Sequence, residues 1–214
     1  MIYYIAEFDF GGQKVEVSKR NLLSLSGGIL STGDIQLPYY GVISNSGSCS
    51  FIDSFVEDGV RKHKVIELLE SGFAYEKIPT KLYLYNSLTK NKWQFGQYFA
   101  KNAQYDYATN TATFSLDDGL TEWQNIPIDD SAIKSRKSLY SVYQAASSTA
   151  TEQTGFEFDE LDDDTRTKLS SIRPYYSNDG MAKNYWAYFD NICKAGLCQM
   201  YVGANGKVKL VRGV

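Results

Sequence analysis

The chain has 214 residues, which is enough for one large domain or two small ones. Its hydrophobic fraction of 43% and charged fraction of 22% are those of an ordinary globular protein, so disorder is not expected. The formal net charge of −3 argues against a nucleic-acid-binding protein, because such proteins carry a basic patch. Aromatic residues make up 14% of the chain, a composition typical both of β-sheets and of surfaces that bind proteins or glycans.

The N-terminal sequence, the apolar runs and the cysteines indicate the cellular compartment of the protein. The N-terminal sequence MIYYIAEFDFGG has no basic segment before an apolar core, so it is not predicted to be a signal peptide. No apolar run reaches the length of about 18 residues that spans a membrane. Cys49, Cys193 and Cys198 fit reduced, packed thiols better than a disulfide framework. We therefore expect a soluble protein that assembles in a cytoplasm.

Short strands dominate the predicted structure of the first 125 residues. Residues 1–17 predict two strands joined by Gly11-Gly12, and Ser24–Gly33 is predicted to be a mobile loop. Turn signals recur about every 8 to 12 residues, which indicates a barrel or a sandwich. Further strands are predicted at residues 35–54, 81–85, 92–100, 103–107 and 111–116.

One helix and one helical turn interrupt these strands. Asp58-Gly59 predicts a turn, and Val60–Glu70 after it predicts a short helix. Asp117-Asp118 is predicted to cap a short helical turn that contains Trp123.

From residue 126 onward the pattern becomes α+β, and we place a domain boundary there: residues 1–125 and residues 126–214. Helices are predicted at residues 138–150 and 162–170, with a polar, weakly structured segment at Ser147–Gly155. An amphipathic helix from Tyr185 is predicted to end at Gly196, which would take the left-handed conformation. Strands 197–202 and 207–212 then form a hairpin around Asn205-Gly206.

Few residues suggest chemistry. His63 with Glu67 is an ordinary helix-surface pair, because a lone histidine satisfies no metal or catalytic-triad template. The spacing of Cys193 and Cys198 does not fit a zinc site. The acidic run from Glu157 to Asp164 lacks the pattern of a calcium-binding loop and indicates a solvated helix start. No catalytic, cofactor-binding or metal-binding residue is predicted, and we expect no enzymatic activity.

The order of segments resembles the N-terminal half of a bacteriophage tail hub, the baseplate or tail-tip protein at the end of the tail tube. The resemblance is carried by an early strand pair ending in Asp53, by a strand series containing Gly96 and ending in Asp117-Asp118, and by the final helix and hairpin. The segments concerned are residues 40–43, 48–53, 81–85, 93–98, 111–118, 185–195 and 206–212.

The resemblance implies a tail-tube-like β-barrel or sandwich with a flanking short helix, followed by a small α+β domain. It implies a mechanical function in the virion: a homotrimer that contacts the tail tube or a distal tail protein on one side and a spike or fibre on the other. Hubs of this family continue into a second tube-like barrel, so we expect this chain to be a fragment, or a shorter hub or adaptor. The interface candidates are Tyr39, Tyr40, Tyr175, Tyr176, Trp186 and the loop Ser24–Gly33.

Two other functions remain open at this stage. A distal tail protein or a carbohydrate- or receptor-binding module would use exposed Tyr and Trp side chains to stack on sugar rings. The hydrolase domain of a tail-associated lysin would need a carboxylate pair in a cleft, for which Asp117 and Asp118 are the candidates.

Overall fold

Apolar residues at alternate positions produce the strand pair that opens the structure. Ile2–Phe10 pairs antiparallel with Gln13–Val17, and Gly11 and Gly12 make the turn with positive φ. Since side chains alternate between the two faces of a strand, the buried residues share one face. They are Ala6, Phe8, Phe10, Val15 and Val17. The predicted strand pair is confirmed.

The structure is a computed structural model, and it describes residues 1–26, 40–71, 77–128, 137–174 and 183–212. The strands are β1 (Ile2–Phe10), β2 (Gln13–Val17), β3 (Leu22–Ser26), β4 (Gly41–Val42), β5 (Ser46–Ile52), β6 (Phe55–Glu57), β7 (Val60–Lys62), β8 (Ile78–Asn86), β9 (Asn91–Asp106), β10 (Thr111–Asp117), β11 (Cys198–Val202) and β12 (Val208–Arg212). The helices are α1 (Lys64–Glu70), α2 (Leu139–Thr154), α3 (Asp163–Ser171) and α4 (Tyr185–Gly196), with a 3₁₀ helix at Leu120–Gln124.

The chain divides into two compact units by its internal contacts. Unit 1 consists of Met1–Ser31 and Asn45–Asp118, and unit 2 consists of Thr32–Ser44 and Gly119–Val214. Residues 119–125 therefore pack within unit 2. That residues 1–125 and residues 126–214 form two separate domains stays a prediction.

Unit 1 contains a seven-stranded antiparallel sheet that is strongly curled. Its strand order is β2-β1-β8-β9-β10-β5-β3. Phe8 of β1 and Phe51 of β5 are four strand spacings apart, about 19 Å in a flat sheet. Their ring centroids are nevertheless only 5.4 Å apart, and Phe114 of β10 lies 5.2 Å from Phe8. The sheet thus wraps around an aromatic core, which α1 joins through the buried Val65.

The predicted class, mainly β with an α+β part, is confirmed. In the described part of unit 1, no strand pairing joins β2 to β3, so the curled sheet is not closed into a barrel. The short helix α1 packs against its core, as the resemblance implied.

Three local predictions for unit 1 are wrong. Val60–Lys62 is a strand, because the turn at Asp58-Gly59 returns the chain into a hairpin with Phe55–Glu57. The two strands predicted at 92–100 and 103–107 are one strand, β9. Asn102 adopts a φ of 51° within β9, and a bulge there absorbs one residue opposite β10. Ser24 to Ser26 belong to β3, whereas the rest of the loop predicted there lies outside the described residues.

Unit 2 packs helices against a small sheet of order β12-β11-β4. β4 pairs in parallel with β11, so a segment distant in sequence completes this sheet. Trp123 and Phe189 lie at the centre of the core, with ring centroids 5.1 Å apart. None of the helices in the described ranges is long and apolar enough to span a membrane.

Two predicted features of unit 2 also differ. α2 continues to Thr154 and is capped by Gly155. The polar segment is helical because Ala150 is buried and because hydroxyl groups of the segment donate to helix carbonyls, as the hydroxyl of Thr154 does to the carbonyl of Ala150. The final hairpin has Gly203–Lys207 between its strands rather than a two-residue turn at Asn205-Gly206, since Gly203 N–H donates to the carbonyl of Lys207 at 2.8 Å.

Candidate interaction surfaces

The aromatic residues predicted to form interfaces are only partly described. Tyr39, Tyr175 and Tyr176 lie outside the described residues. Tyr40 directly precedes β4 and is half-buried in unit 2. Trp186 is half-buried near the start of α4 and packs against the core of that unit. A role of these five residues in binding stays a prediction.

A buried carboxylate in unit 1, that of Asp53, holds the beginning of α1. Its oxygens accept the backbone N–H groups of Val65 at 3.1 Å and of Ile66 at 3.0 Å. No side chain at the N-cap position His63 fulfils this role. Asp53 therefore satisfies helix donors that would otherwise be unpaired.

Tyr105 and His63 complete the surroundings of Asp53. The Tyr105 hydroxyl donates to Oδ2 of Asp53 at 3.3 Å. Burial, together with the charge and the hydrogen bond of Asp53, raises the pKa of Tyr105 to about 12, so this phenol is a donor at neutral pH. His63 bonds through Nδ1 to the carbonyl oxygen of Asp53. The histidine thus lies at the N-cap position, before the helix rather than on its surface, where the sequence placed it with Glu67.

Asp117 and Asp118 have separate partners. Oδ2 of the buried Asp118 accepts the N–H of Asn45 at 2.6 Å. The carboxylate of Asp117 lies 3.6 Å from Nζ of Lys101. The 3₁₀ helix that follows begins at Leu120, and its N-cap position is Gly119, which has no side chain. The capping role of the two aspartates stays a prediction.

The acidic run of unit 2 starts a helix and pairs with β12. Asp162 is the N-cap of α3, and its carboxylate accepts the N–H of Thr165 at 2.8 Å. This confirms the predicted helix start. Three other acids of the run form ion pairs with cations around β12: Glu157 with Lys207, Asp159 with Lys209, and Asp164 with Arg212. Across the described ranges, no group of three or more potential ligand side chains converges on a metal site.

The three cysteines are free and buried, as predicted. Burial raises the pKa of Cys49 to about 12 and that of Cys198 to about 11. Burial therefore disfavours the thiolate, which is the reactive form of cysteine, at Cys49 and Cys198. Cys198 also donates through Sγ to the carbonyl of Gly196 at 3.3 Å.

Unit 1 has an apolar groove that was not predicted from the sequence. It has a volume of about 420 Å³ and is lined by Ile2, Tyr3, Tyr4, Lys19, Leu22 and Leu84. Ile2 and Tyr4 continue the core-facing alternation of β1, yet their side chains are 59% and 51% exposed. The sequence contained one signal for this groove: the apolar alternation of β1 extends beyond Ala6–Phe10, the residues that β2 covers.

Comparison with known proteins relates this fold to tail proteins. No family profile and no curated protein matches the chain. The 43 kDa tail protein of prophage MuSo2 from Shewanella oneidensis is similar with a TM-score of 0.52 and 8% identity, over 99% of this chain and 56% of that one. The tail protein from Neisseria meningitidis MC58 is similar with a TM-score of 0.51 and 7% identity, over 97% of this chain and 50% of that one.

The chain thus spans about half the length of these two solved structures. At such low sequence identity the likeness concerns the fold alone. This chain has the fold of about half of each of these two tail proteins.

Proposed function

We propose that this chain is a structural protein of a phage tail and that it acts as the hub joining the tail tube to the baseplate or tail tip. The observation that carries the proposal is the fold likeness to a prophage tail protein, which extends along 99% of this chain. The order of elements that resembles a hub in the sequence supports the same assignment.

The roles of the acidic side chains favour a structural protein over an enzyme. Asp53 holds α1, Asp118 binds the backbone of Asn45, and Asp162 caps α3. Each of these three carboxylates contributes to folding by accepting backbone N–H groups. None of the three has an arrangement typical of general acid–base catalysis. We therefore assign no catalytic role to the chain.

The sheet of unit 1 suggests how such a protein would assemble. β2 and β3 are its two edge strands. Edge strands carry backbone groups that pair readily with strands of other chains. We propose a homotrimer that contacts the tail tube or a distal tail protein and a spike or fibre protein, with assembly taking place in the host cytoplasm.

A nonsense mutation in the gene tests this function in the phage that encodes the chain. If the protein is the hub, electron microscopy will show heads without attached tails, and the wild-type gene supplied from a plasmid will restore complete particles. Normal tails that no longer adsorb to cells would instead favour the distal tail or receptor-binding function.

Light scattering on the purified chain tests the proposed stoichiometry. A hub subunit is expected to have the mass of a trimer, alone or after mixing with the tail proteins encoded beside it. A chain that stays monomeric in both conditions contradicts the trimer. Immunogold labelling of intact particles would then show whether it lies at the tail end or along the tube.

A further inference from the structure

β1 is paired along most of its length on one side but only along half of it on the other. β8 pairs with Ile2–Phe8, whereas β2 pairs only with Ala6–Phe10. In the part of the chain that the structure describes, no strand pairs with Ile2–Ile5 on the side of β2. An unpaired length of strand edge is a template for another strand.

The apolar groove lies beside this unpaired edge. Tyr4 pairs with Leu84, and Leu84 pairs with Trp93, so the three side chains form a row on one face of the sheet. Trp93 is 47% exposed, in addition to the exposed Ile2 and Tyr4. A strand added at the edge would place every second side chain on this apolar face.

Lys19 gives the groove a positive charge. Its Nζ contacts the sulfur atom of Met1 at 3.1 Å. Within the described ranges no carboxylate forms an ion pair with Lys19, whereas Lys14 and Lys92 of the same unit both pair with Glu7. The groove therefore complements a segment that is apolar at alternate positions and carries an acidic residue.

We propose that the open half of β1 binds an extended segment of a different protein. This segment adds as a strand beside Ile2–Ile5, fills the apolar groove with alternate apolar side chains and places a carboxylate against Lys19. A second copy of this chain fits less well. Its edge strand β3 has the sequence LLSLS without an acid, and Glu16 of the edge strand β2 already pairs with Lys92.

Selection of peptides by the full chain tests this proposal. The chain, tagged at its C-terminus because Met1 lies at the groove, would be used to select from a yeast-displayed library of short random peptides. We expect enrichment of peptides with alternating apolar residues and at least one Asp or Glu. The most enriched peptide is then synthesised for binding measurements and for hydrogen exchange by NMR.

Three variants make the outcome specific. Tyr4→Asp should weaken binding of the synthetic peptide at least about tenfold, since it places a charge in the groove. Lys19→Glu should shift the enriched peptides from acidic to basic residues. Leu88→Asp is the matched control: Leu88 is 84% exposed in the turn between β8 and β9, and its replacement should leave binding unchanged.

Hydrogen exchange of the backbone amides of β1 decides whether the peptide binds as an added strand. Peptide binding should slow hydrogen exchange of amides within Ile2–Ile5 about tenfold or more, because strand addition pairs these groups. Equal enrichment by the Tyr4→Asp variant, or no protection of these amides, would overturn the proposal. So would self-association of the wild-type chain that Tyr4→Asp abolishes. The inference concerns unit 1 alone and does not rest on the function proposed above.

Discussion

Leu169 of α3 packs directly against Gly196, the last residue of α4. A Cβ atom at residue 196 would lie 2.6 Å from Cδ2 of Leu169, which is fully buried. A side chain at residue 196 would therefore have to displace Leu169. The left-handed conformation predicted for Gly196 is instead adopted by the next residue, Leu197, which ends the helix with a φ of 55°.

This arrangement predicts opposite effects for two neighbouring substitutions. Gly196→Ala should lower the free energy of unfolding by about 1 to 3 kcal/mol, because it overpacks the contact with Leu169. Leu197→Gly should maintain or raise stability, since a left-handed conformation costs a non-glycine residue about 1 kcal/mol. Urea denaturation measures both. A Gly196→Ala variant as stable as the wild type would contradict the close approach of the two elements.

Asp53 should be the most sensitive carboxylate of unit 1. Asp53→Ala leaves the N–H groups of Val65 and Ile66 without their acceptor, and we expect a loss of about 2 kcal/mol. Tyr105→Phe removes one hydrogen bond to Asp53 and should cost about 1 kcal/mol. The double variant, measured by denaturation, should lose less than the sum of the two. Strict additivity would show that the two side chains act independently.

The same pair predicts a spectroscopic change. The charge of Asp53 contributes to the raised pKa of Tyr105. Asp53→Asn should therefore lower the pKa of Tyr105 while burial keeps it above the usual value of about 10. Absorbance titration of the wild type and the variant, with Tyr105→Phe to identify the signal, measures the shift. An unchanged titration would show that burial alone sets this pKa.

Local sequence patterns predicted most helices and strands but not the contacts between distant segments. The alternation in β1 and the amphipathic pattern of α4 are local signals, and both elements were predicted. The pairing of Met200 in β11 with Val42 in β4 is not encoded near either residue, because parallel pairing depends on the tertiary fold. The bulge at Asn102 was missed for a related reason: only the partner strand β10 shows that β9 carries an extra residue.

The candidate surfaces also divide into features that local sequence patterns predict and features that depend on contacts between distant segments. Cys193 and Cys198 were predicted to be buried from their residue type and sparse number, and they are. The groove at Tyr4 arises because β2 ends before it covers the whole of β1. The alternation of β1 signals an apolar face that extends beyond β2, but it does not show that Lys19, Leu22 and Leu84 line a groove there, so the groove itself required the structure.

Asp162 should make the stability of unit 2 depend on pH. Its hydrogen bonds with the backbone and side chain of Thr165 lower the pKa of its carboxyl in the folded protein. The ionised cap therefore stabilises the fold above the ordinary aspartate pKa of about 4, and this contribution is lost as pH falls through the lowered value.

Asp162→Asn is the matched variant, since asparagine caps a helix without titrating. We expect the difference in melting temperature between the wild type and Asp162→Asn to shrink or reverse as the pH falls from neutral to strongly acidic. Asp162→Ala should lose about 1 kcal/mol at neutral pH. A constant difference between the wild type and Asp162→Asn at all pH values would rule out the titrating cap.

The hydroxyl group of Tyr143 should be dispensable, although its ring is not. Tyr143 is buried on α2, and its hydroxyl has no hydrogen-bond partner within the described residues. Burial raises the pKa of this phenol above its usual value. Its ring packs against Phe158 and Phe189, with centroids 6.1 and 6.4 Å away. An unpaired buried hydroxyl costs about 1 to 3 kcal/mol of desolvation.

Tyr143→Phe removes this cost and keeps the ring, so we expect equal or higher stability, by up to about 1 kcal/mol. Tyr143→Ala should lose about 3 to 5 kcal/mol, because it leaves a cavity between the aromatic rings. Thermal unfolding followed by circular dichroism compares the two variants with the wild type. A Tyr143→Phe variant that melts clearly below the wild type would mean that the hydroxyl is hydrogen-bonded in solution. The core of unit 2 would then contain a polar contact that stabilises it, as Asp53 does in unit 1.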